Sequence, residues 1–158
     1  MDDNDIQHLR RCVELAAEAL DAGDEPFGSL LTGPDGAVLA EDRNRVGAGD
    51  STSHPEFELA RWSVGNLSPT DRASSTVYTS GEHCPMCSAA DAWVGLGRIV
   101  YASSSAQLTQ WLTELGAPPN PVASLSINQV APGIETDGPA PDLADDVRAL
   151  HVRFRTQP

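Results

Sequence analysis

The chain contains no lysine: its ten basic residues are all arginine, against 23 Asp and Glu, and its formal net charge is −13. Binding to nucleic acid depends on cationic contacts with phosphates. The arginines are scattered along the sequence instead of clustered. The same acidic balance opposes binding to anionic membranes. The composition therefore argues against nucleic-acid and membrane partners, and it favours a small substrate that is uncharged or weakly charged.

Long hydrophobic runs are missing as well, and none approaches the length of a membrane-spanning helix. The acidic N-terminus, MDDNDIQHLRR, lacks the apolar core of a secretory signal. Only three cysteines are present, and two of them form a CxxC motif. This usage predicts a cytoplasmic protein with a metal-binding or redox motif, not a disulfide framework. The length of 158 residues predicts a single domain, residues 1–158, that buries its core without disulfide bonds.

Hydrophobic periodicity predicts helices that alternate with strands. The predicted helices cover residues 5–22, 54–67, 84–96, 105–115 and 142–154. The predicted strands cover residues 26–33, 37–44, 75–80 and 98–103, with a further short candidate at 123–130. The GPDG turn between the first two strands predicts a hairpin, so the sheet is expected to be mixed. Ser53 is the expected cap of the second helix, and the alternation as a whole predicts a layered α/β domain.

The segment TSGEHCPMCSAADAW, residues 79–93, carries Cys84 and Cys87 at the start of a predicted helix. Free amides and the helix dipole favour thiolates at such a position. Zinc in a catalytic site takes three protein ligands and leaves one position for water. His54 opens another predicted helix and is the candidate third ligand. Glu56 follows it by two residues and would lie beside a metal-bound water.

The pattern H-x-E followed by C-x-x-C resembles the cytidine deaminase superfamily, above all its branch of bacterial guanine deaminases and tRNA adenosine deaminases. The matching segments are PFGSLL (26–31), the asparagine of AEDRNR, STSHPEFELAR (51–61) and TSGEHCPMCSAA (79–90). The resemblance implies a three-layer α/β/α sandwich with a mixed five-stranded sheet and one Zn²⁺ per chain. It also implies hydrolytic deamination of a free nucleobase or a base-like heterocycle. Guanine and its oxidised or aza-analogues, such as 8-oxoguanine or the triazine ammeline, lead the candidates, and cytosine or isocytosine rings follow.

The same resemblance assigns roles to individual residues. Glu56 would carry a proton from the attacking water to the ring nitrogen and later help to protonate the departing ammonia. Asn44 would hydrogen-bond the edge of the base, and Phe27 would pack against the ring. Gly28 would allow close approach of the backbone, and the backbone carbonyl of Glu82 would face the amino group.

The chain departs from the family pattern at three places. It has His54-Pro55-Glu56 where the family usually has His-Ala-Glu, and Glu82-His83-Cys84 where the family has Glu-Pro-Cys. Guanine deaminases carry an acidic residue into the purine pocket from a C-terminal segment and end in an aromatic residue. Here residues 102–134 contain a single acid, and the chain ends RFRTQP, which weakens the case for guanine itself. The family usually forms homodimers, and residues 116–158 are a candidate for a C-terminal segment swapped between subunits.

Several alternatives stay open at the level of sequence. His83 would close a purely structural zinc site if it were a fourth ligand. Otherwise it is an imidazole that lies behind the metal ligands or faces the substrate and adjusts the polarity of the pocket, or it is a surface or helix-cap residue in place of a proline. A redox CxxC, a tRNA adenosine deaminase, a nucleoside deaminase and a non-catalytic zinc-binding module are the rival functions. Asp91 either points back towards the pocket or lies on a solvated helix face.

The remaining histidines, cysteine and tryptophans are expected to be structural. His8 and His151 are predicted to lie on the surface, and Cys12 in the core. The three tryptophans lie within apolar helical patterns and are assigned to the core or to a subunit interface: Trp62, Trp93 and Trp111.

Overall fold

Helices and strands alternate along the chain in the computed structural model, which describes residues 1–157. Helices α1 to α7 span Asp3–Asp21, Pro55–Asn66, Pro69–Ala73, Pro85–Val94, Ser105–Glu114, Ile127–Val130 and Pro141–Thr156. Strands β1 to β5 span Gly28–Thr32, Val38–Arg43, Thr76–Gly81, Arg98–Ser103 and Thr136–Asp137. Within residues 1–157, none of the helices has the length and apolar character that crossing a membrane requires.

The five strands form one mixed sheet in the order β2-β1-β3-β4-β5. Strand β1 is antiparallel to both β2 and β3, whereas β3, β4 and β5 are parallel to one another. The predicted hairpin and the predicted mixed sheet are therefore confirmed. Every residue of β1 is buried, because helices cover both faces of the central strands.

Consecutive residues of each central strand point to opposite faces of the sheet, and this alternation creates two separate cores. Leu30, Tyr78 and Val100 pack in the first core, with apolar side chains from α1, α5 and α7. Their neighbours in sequence pack in the second core, mainly against α2, α4 and α6: Leu31, Val77 and Ile99. The result is the three-layer α/β/α sandwich expected from the resemblance.

Two local expectations for secondary structure are wrong. The cap of α2 is His54, not Ser53, and the helix begins at Pro55. Residues 123–130 do not form a strand, because Ser126 and Gln129 form a capping box that starts the short helix α6. The fifth strand is instead the pair Thr136–Asp137, which extends the sheet beside β4.

His151 is 3% exposed and thus contradicts the expected surface position. It shares one face of α7 with Leu143 and Val147, at spacings of four residues, and that face packs into the core. His8 is partly buried and lies against the ring of Tyr78, with ring centroids 4.7 Å apart.

The tryptophans divide between core and surface. Trp111 is buried in the first core, and Trp62 packs against the second. Trp93 is 89% exposed, so the expected core position is wrong for it, and its place in a subunit interface stays a prediction. Cys12 is fully buried, as predicted.

Candidate metal centre and active site

Two helix starts converge at one edge of the sheet. His54 is the N-cap of α2, Cys84 is the N-cap of α4, and each helix has a proline in its first turn. Proline suits this position because its fixed φ matches the helix and its missing amide donor would have no partner there. Cys87 lies in the first turn of α4. The N-terminal ends of both helices, with their partial positive charge, therefore face the same three side chains.

The three candidate ligand atoms form a nearly equilateral triangle. His54 Nδ1, Cys84 Sγ and Cys87 Sγ lie 3.6 Å from one another in each of the three pairings. Ligand atoms held at zinc's usual bond lengths in a tetrahedral site would be separated by about 3.5–3.8 Å. One nitrogen and two sulfurs are also a donor set that zinc favours. These residues fit a zinc ion without rearrangement.

The triangle has three members among residues 1–157, and His83 is not one of them. The Nδ1 atom of His83 lies 2.6 Å from Asp91 Oδ2 and so is already hydrogen-bonded. The hypothesis of a structural site closed by His83 is therefore wrong. Three protein ligands with one free position are the arrangement of catalytic zinc sites.

The electrostatics of the triangle already favour a thiolate. Contact with Cys87, and then with His54, lowers the pKa of Cys84 to about 4. The same sulfur contact and burial raise the pKa of Cys87 well above its usual range, while contact with Cys84 raises the pKa of His54. A cation bound here would replace these shared protons, because zinc binds thiolate and neutral imidazole.

Glu56 is held beside the triangle by two hydroxyl groups. Its Oε1 accepts a hydrogen bond of 3.0 Å from Ser29 Oγ and lies 3.1 Å from Thr79 Oγ1, while its Oε2 lies 3.8 Å from Cys87 Sγ. The side chain is only 5% exposed. One carboxylate oxygen is thus anchored to the sheet, and the other is directed towards the candidate metal site.

Sequence reasoning missed Ser29 and Thr79. They are register partners on β1 and β3, and their hydroxyls lie 2.9 Å apart. A signal was present in the segment PFGSLL, where a serine interrupts an otherwise apolar strand. A hydroxyl fully buried in the middle of a sheet needs a hydrogen-bond partner, and Glu56 is that partner.

Asn44 and Phe27 lie at the same edge of the sheet. The backbone amide of Asn44 donates to Phe27 O, and Asn44 Oδ1 accepts from the amide of Val46. Its Nδ2 is buried and has no hydrogen-bond partner in residues 1–157. The Phe27 ring lies over Gly81, the last residue of β3, and its edge meets His151 at 5.1 Å between ring centroids. Asn44 therefore keeps a buried donor free, as a residue that contacts a base would.

Gly28 and Glu82 have structural contacts that the sequence did not predict. A Cβ atom at Gly28 would lie 2.5 Å from Cys12 O, so glycine is needed here for α1 to pack against β1. The carboxylate of Glu82 accepts hydrogen bonds from the amides of Ser105 and Ile127, at the starts of α5 and α6. The substrate contacts assigned to both residues stay predictions.

His83 and Asp91 form a fully buried pair, so Asp91 lies neither on a solvated face nor alone. Burial lowers the pKa of His83 and the Asp91 carboxylate raises it, with a net shift upward, and burial also raises the pKa of Asp91. The short contact joins His83 Nδ1 to Asp91 Oδ2, 2.6 Å apart. His83 directly precedes Cys84 and Asp91 lies one helical turn after Cys87, and neither belongs to the metal triangle.

Comparison with known proteins points to a single family. Residues 2–103 match the family model of the cytidine and deoxycytidylate deaminase zinc-binding region. A "Probable cytosine deaminase" from Schizosaccharomyces pombe is 32% identical over 121 residues, which are 75% of this chain and 72% of that protein. The guanine deaminase of Bacillus subtilis is 37% identical over 97 residues, which are 60% of this chain and 62% of that protein.

The fold recurs in solved structures of low sequence identity. A mutant protein in complex with 8-azaguanine superposes with a TM-score of 0.72 at 23% identity, over 94% of this chain and 82% of that chain. The match extends well beyond residue 103, so the C-terminal elements belong to the shared architecture as well.

Proposed function

Because the chain belongs to the cytidine and deoxycytidylate deaminase zinc-binding family, we propose that it is a zinc-dependent hydrolase that deaminates a free nucleobase or a base-like heterocycle. The observation that carries the proposal is the buried carboxylate of Glu56 beside the open His54–Cys84–Cys87 triangle. A non-catalytic zinc-binding module would have no use for a buried acid directed at its metal.

The residues divide the proposed reaction between them. A bound zinc ion supplies Lewis-acid chemistry, which lowers the pKa of a water molecule to about 7 in favourable sites. Glu56 takes one proton from the attacking water and passes it to the ring nitrogen. It then takes the proton of the hydroxyl that has added to the ring and passes it to the departing amino group, which leaves as ammonia. Water adds its oxygen to the ring carbon, the bond between that carbon and the amino nitrogen breaks, and a carbonyl and ammonia result.

Recognition of the ring falls to the residues around Phe27. Asn44 Nδ2 is a buried donor in need of an acceptor, and the oxygens and unprotonated nitrogens of a base edge are acceptors. The aromatic ring of Phe27 offers a face or an edge for stacking. The backbone carbonyl of Glu82 and the side chain of His83 complete the proposed substrate contacts.

The proposed substrates are guanine, its oxidised or aza-analogues, and rings of the cytosine or isocytosine type. Two of the relatives are a guanine deaminase and a probable cytosine deaminase, and one of the solved structures of similar fold is a complex with 8-azaguanine. The acidic surface favours such neutral small molecules over a tRNA. We further propose that the protein is cytoplasmic, because its three free cysteines suit a reducing compartment. We also propose a homodimer, which is the usual assembly of the family.

The test is ammonia release from a panel: guanine, 8-oxoguanine, isocytosine, cytosine, ammeline, guanosine, cytidine and adenosine. Glu56→Ala should abolish release while zinc stays bound, a loss of at least about 10²-fold for a proton-transfer residue. Glu58→Ala is the matched control, because Glu58 is an exposed acid in the same helical turn.

The panel also separates the rival functions. Release from one or a few free bases that Glu56→Ala abolishes would support the proposal and identify the ring. Absence of release from every compound, with zinc bound, would overturn the free-base proposal. A tRNA carrying the target adenosine would then be the next substrate to try.

A further inference from the structure

The CxxC motif is bracketed by a buried hydrogen bond between His83 and Asp91. His83 directly precedes the first cysteine, and Asp91 follows the second cysteine by four residues, one helical turn. Both side chains are fully buried, and His83 Nδ1 lies 2.6 Å from Asp91 Oδ2. The contact therefore closes a ring of residues that contains both Cys84 and Cys87.

The start of this ring, before α4 begins, has no regular secondary structure. Residues 82–84 connect β3 to α4 and belong to neither element. The backbone contacts that hold them come from Glu82, whose amide donates to Ser103 O, and from Ser88, whose hydroxyl lies 3.0 Å from Cys84 O and 3.3 Å from His83 O. The His83 side chain adds a contact that reaches Asp91 in the second turn of α4.

The backbone needs an additional restraint because residue 83 is a histidine and not a proline. A proline there would fix φ by its ring, whereas histidine leaves φ free to rotate. A shift of the His83 backbone would carry Cys84 Sγ with it, and zinc affinity depends on ligand atoms held within a few tenths of an ångström. The hydrogen bond to Asp91 supplies the restraint that the histidine backbone lacks.

Burial of this pair has a large desolvation cost, which argues that the pair does more than fill the core. Two ionisable groups have been removed from water, and the remaining polar atoms, His83 Nε2 and Asp91 Oδ1, have no partner in residues 1–157. Apolar residues of similar volume often stabilise a core as well or better. Loss of Asp91 would leave the imidazole buried with no hydrogen bond at all.

We propose that His83 and Asp91 are positioning residues that hold Cys84 and Cys87 at zinc-ligating separation. The proposal rests on the zinc site of the proposed function and not on the identity of the substrate. It gives neither residue a role as a metal ligand, and it does not depend on any contact between His83 and the substrate.

The test is the zinc dissociation constant of the full chain, measured by competition with a chromophoric chelator. Asp91→Ala should weaken zinc binding by about tenfold or more, the usual effect of removing an outer partner that orients metal ligands. The control is Tyr78→Phe, which removes a buried hydrogen bond of 2.8 Å to Asp5 on the opposite face of the sheet. Its zinc affinity should stay within about twofold of the wild-type value, although its thermal midpoint falls.

Asp91→Asn keeps an oxygen acceptor in the same place and should recover part of the lost affinity. If Asp91→Ala does not fold, as judged by circular dichroism of the zinc-free protein, Asp91→Asn is compared with Tyr78→Phe in its place. Zinc affinity of the folded Asp91 variants no weaker than that of Tyr78→Phe would overturn the proposal. The measurement needs no substrate, so an absence of deaminase activity would leave its outcome intact.

Discussion

At the scale of single residues, the anchoring of Glu56 by Ser29 is the first contact to test. Ser29→Ala removes a buried hydrogen bond to the carboxylate, so we expect kcat to fall by about tenfold with little change in KM. Thr32→Val is the control, because Thr32 is buried on the same strand and its hydroxyl donates to Thr76 O, away from Glu56. Equal effects of the two substitutions on kcat would show that the hydroxyl of Ser29 has no special part in the reaction.

His151 makes stability depend on pH in a definite direction. Burial, followed by the charge of Arg155, lowers its pKa to about 4 from an ordinary value near 6.5. A histidine with a depressed pKa in the folded state contributes stability above pH 6.5 that is lost as pH falls towards 4, because the unfolded chain takes up the proton first. Between pH 7 and pH 5 this amounts to a loss of about 2 kcal/mol in the free energy of unfolding.

The comparison that isolates this effect is urea unfolding of the wild type and of His151→Leu at both pH values. The decline between pH 7 and pH 5 should be smaller in the variant by about the same amount. An unchanged decline would assign the pH dependence to other groups.

At the scale of elements, the carboxylate of Glu82 joins the starts of two helices to the end of β3. It accepts the first free amides of α5 and α6, which are donors that otherwise lack a partner. Glu82→Ala should therefore lower the free energy of unfolding by about 1–3 kcal/mol, and amide exchange should rise at Ser105 and Ile127. Glu58→Ala is the control and should lower the free energy of unfolding by much less, since Glu58 is exposed. Equal decreases in the two variants would mean that the contacts of Glu82 with the two helix starts contribute little to stability.

At the scale of the whole molecule, a homodimer would explain why the side chain of Trp93 is exposed in the single chain. It projects almost fully into solvent from the helix that carries the cysteines, and aromatic residues such as tryptophan are enriched at subunit interfaces. We expect light scattering to give a mass twice that of one chain, and Trp93→Ser to shift the population towards monomer. A monomeric wild type would refute both the dimer and the predicted exchange of residues 116–158.

The sequence by itself determined the chemistry of this protein and the outline of its fold. Cys84 and Cys87 are three residues apart, and His54 and Glu56 are two apart, so each pair is brought together by one local turn. The hairpin, the central strands and the long helices follow from periodicity that extends over a few neighbouring residues. Such features depend on short stretches of chain, so the sequence pattern alone is sufficient to predict them.

Only the tertiary structure decided which distant residues meet. Ser29 and Thr79 are 50 residues apart and face Glu56 because of the register between β1 and β3. His151 is buried because it lies on the face of α7 that packs into the core. His83 and Asp91 form a buried pair behind the CxxC helix. Thr136 and Asp137 form the fifth strand because they pair with β4 at the edge of the sheet. Each outcome depends on the packing of layers that are assembled from remote parts of the chain, where the local pattern carries no information about the partner.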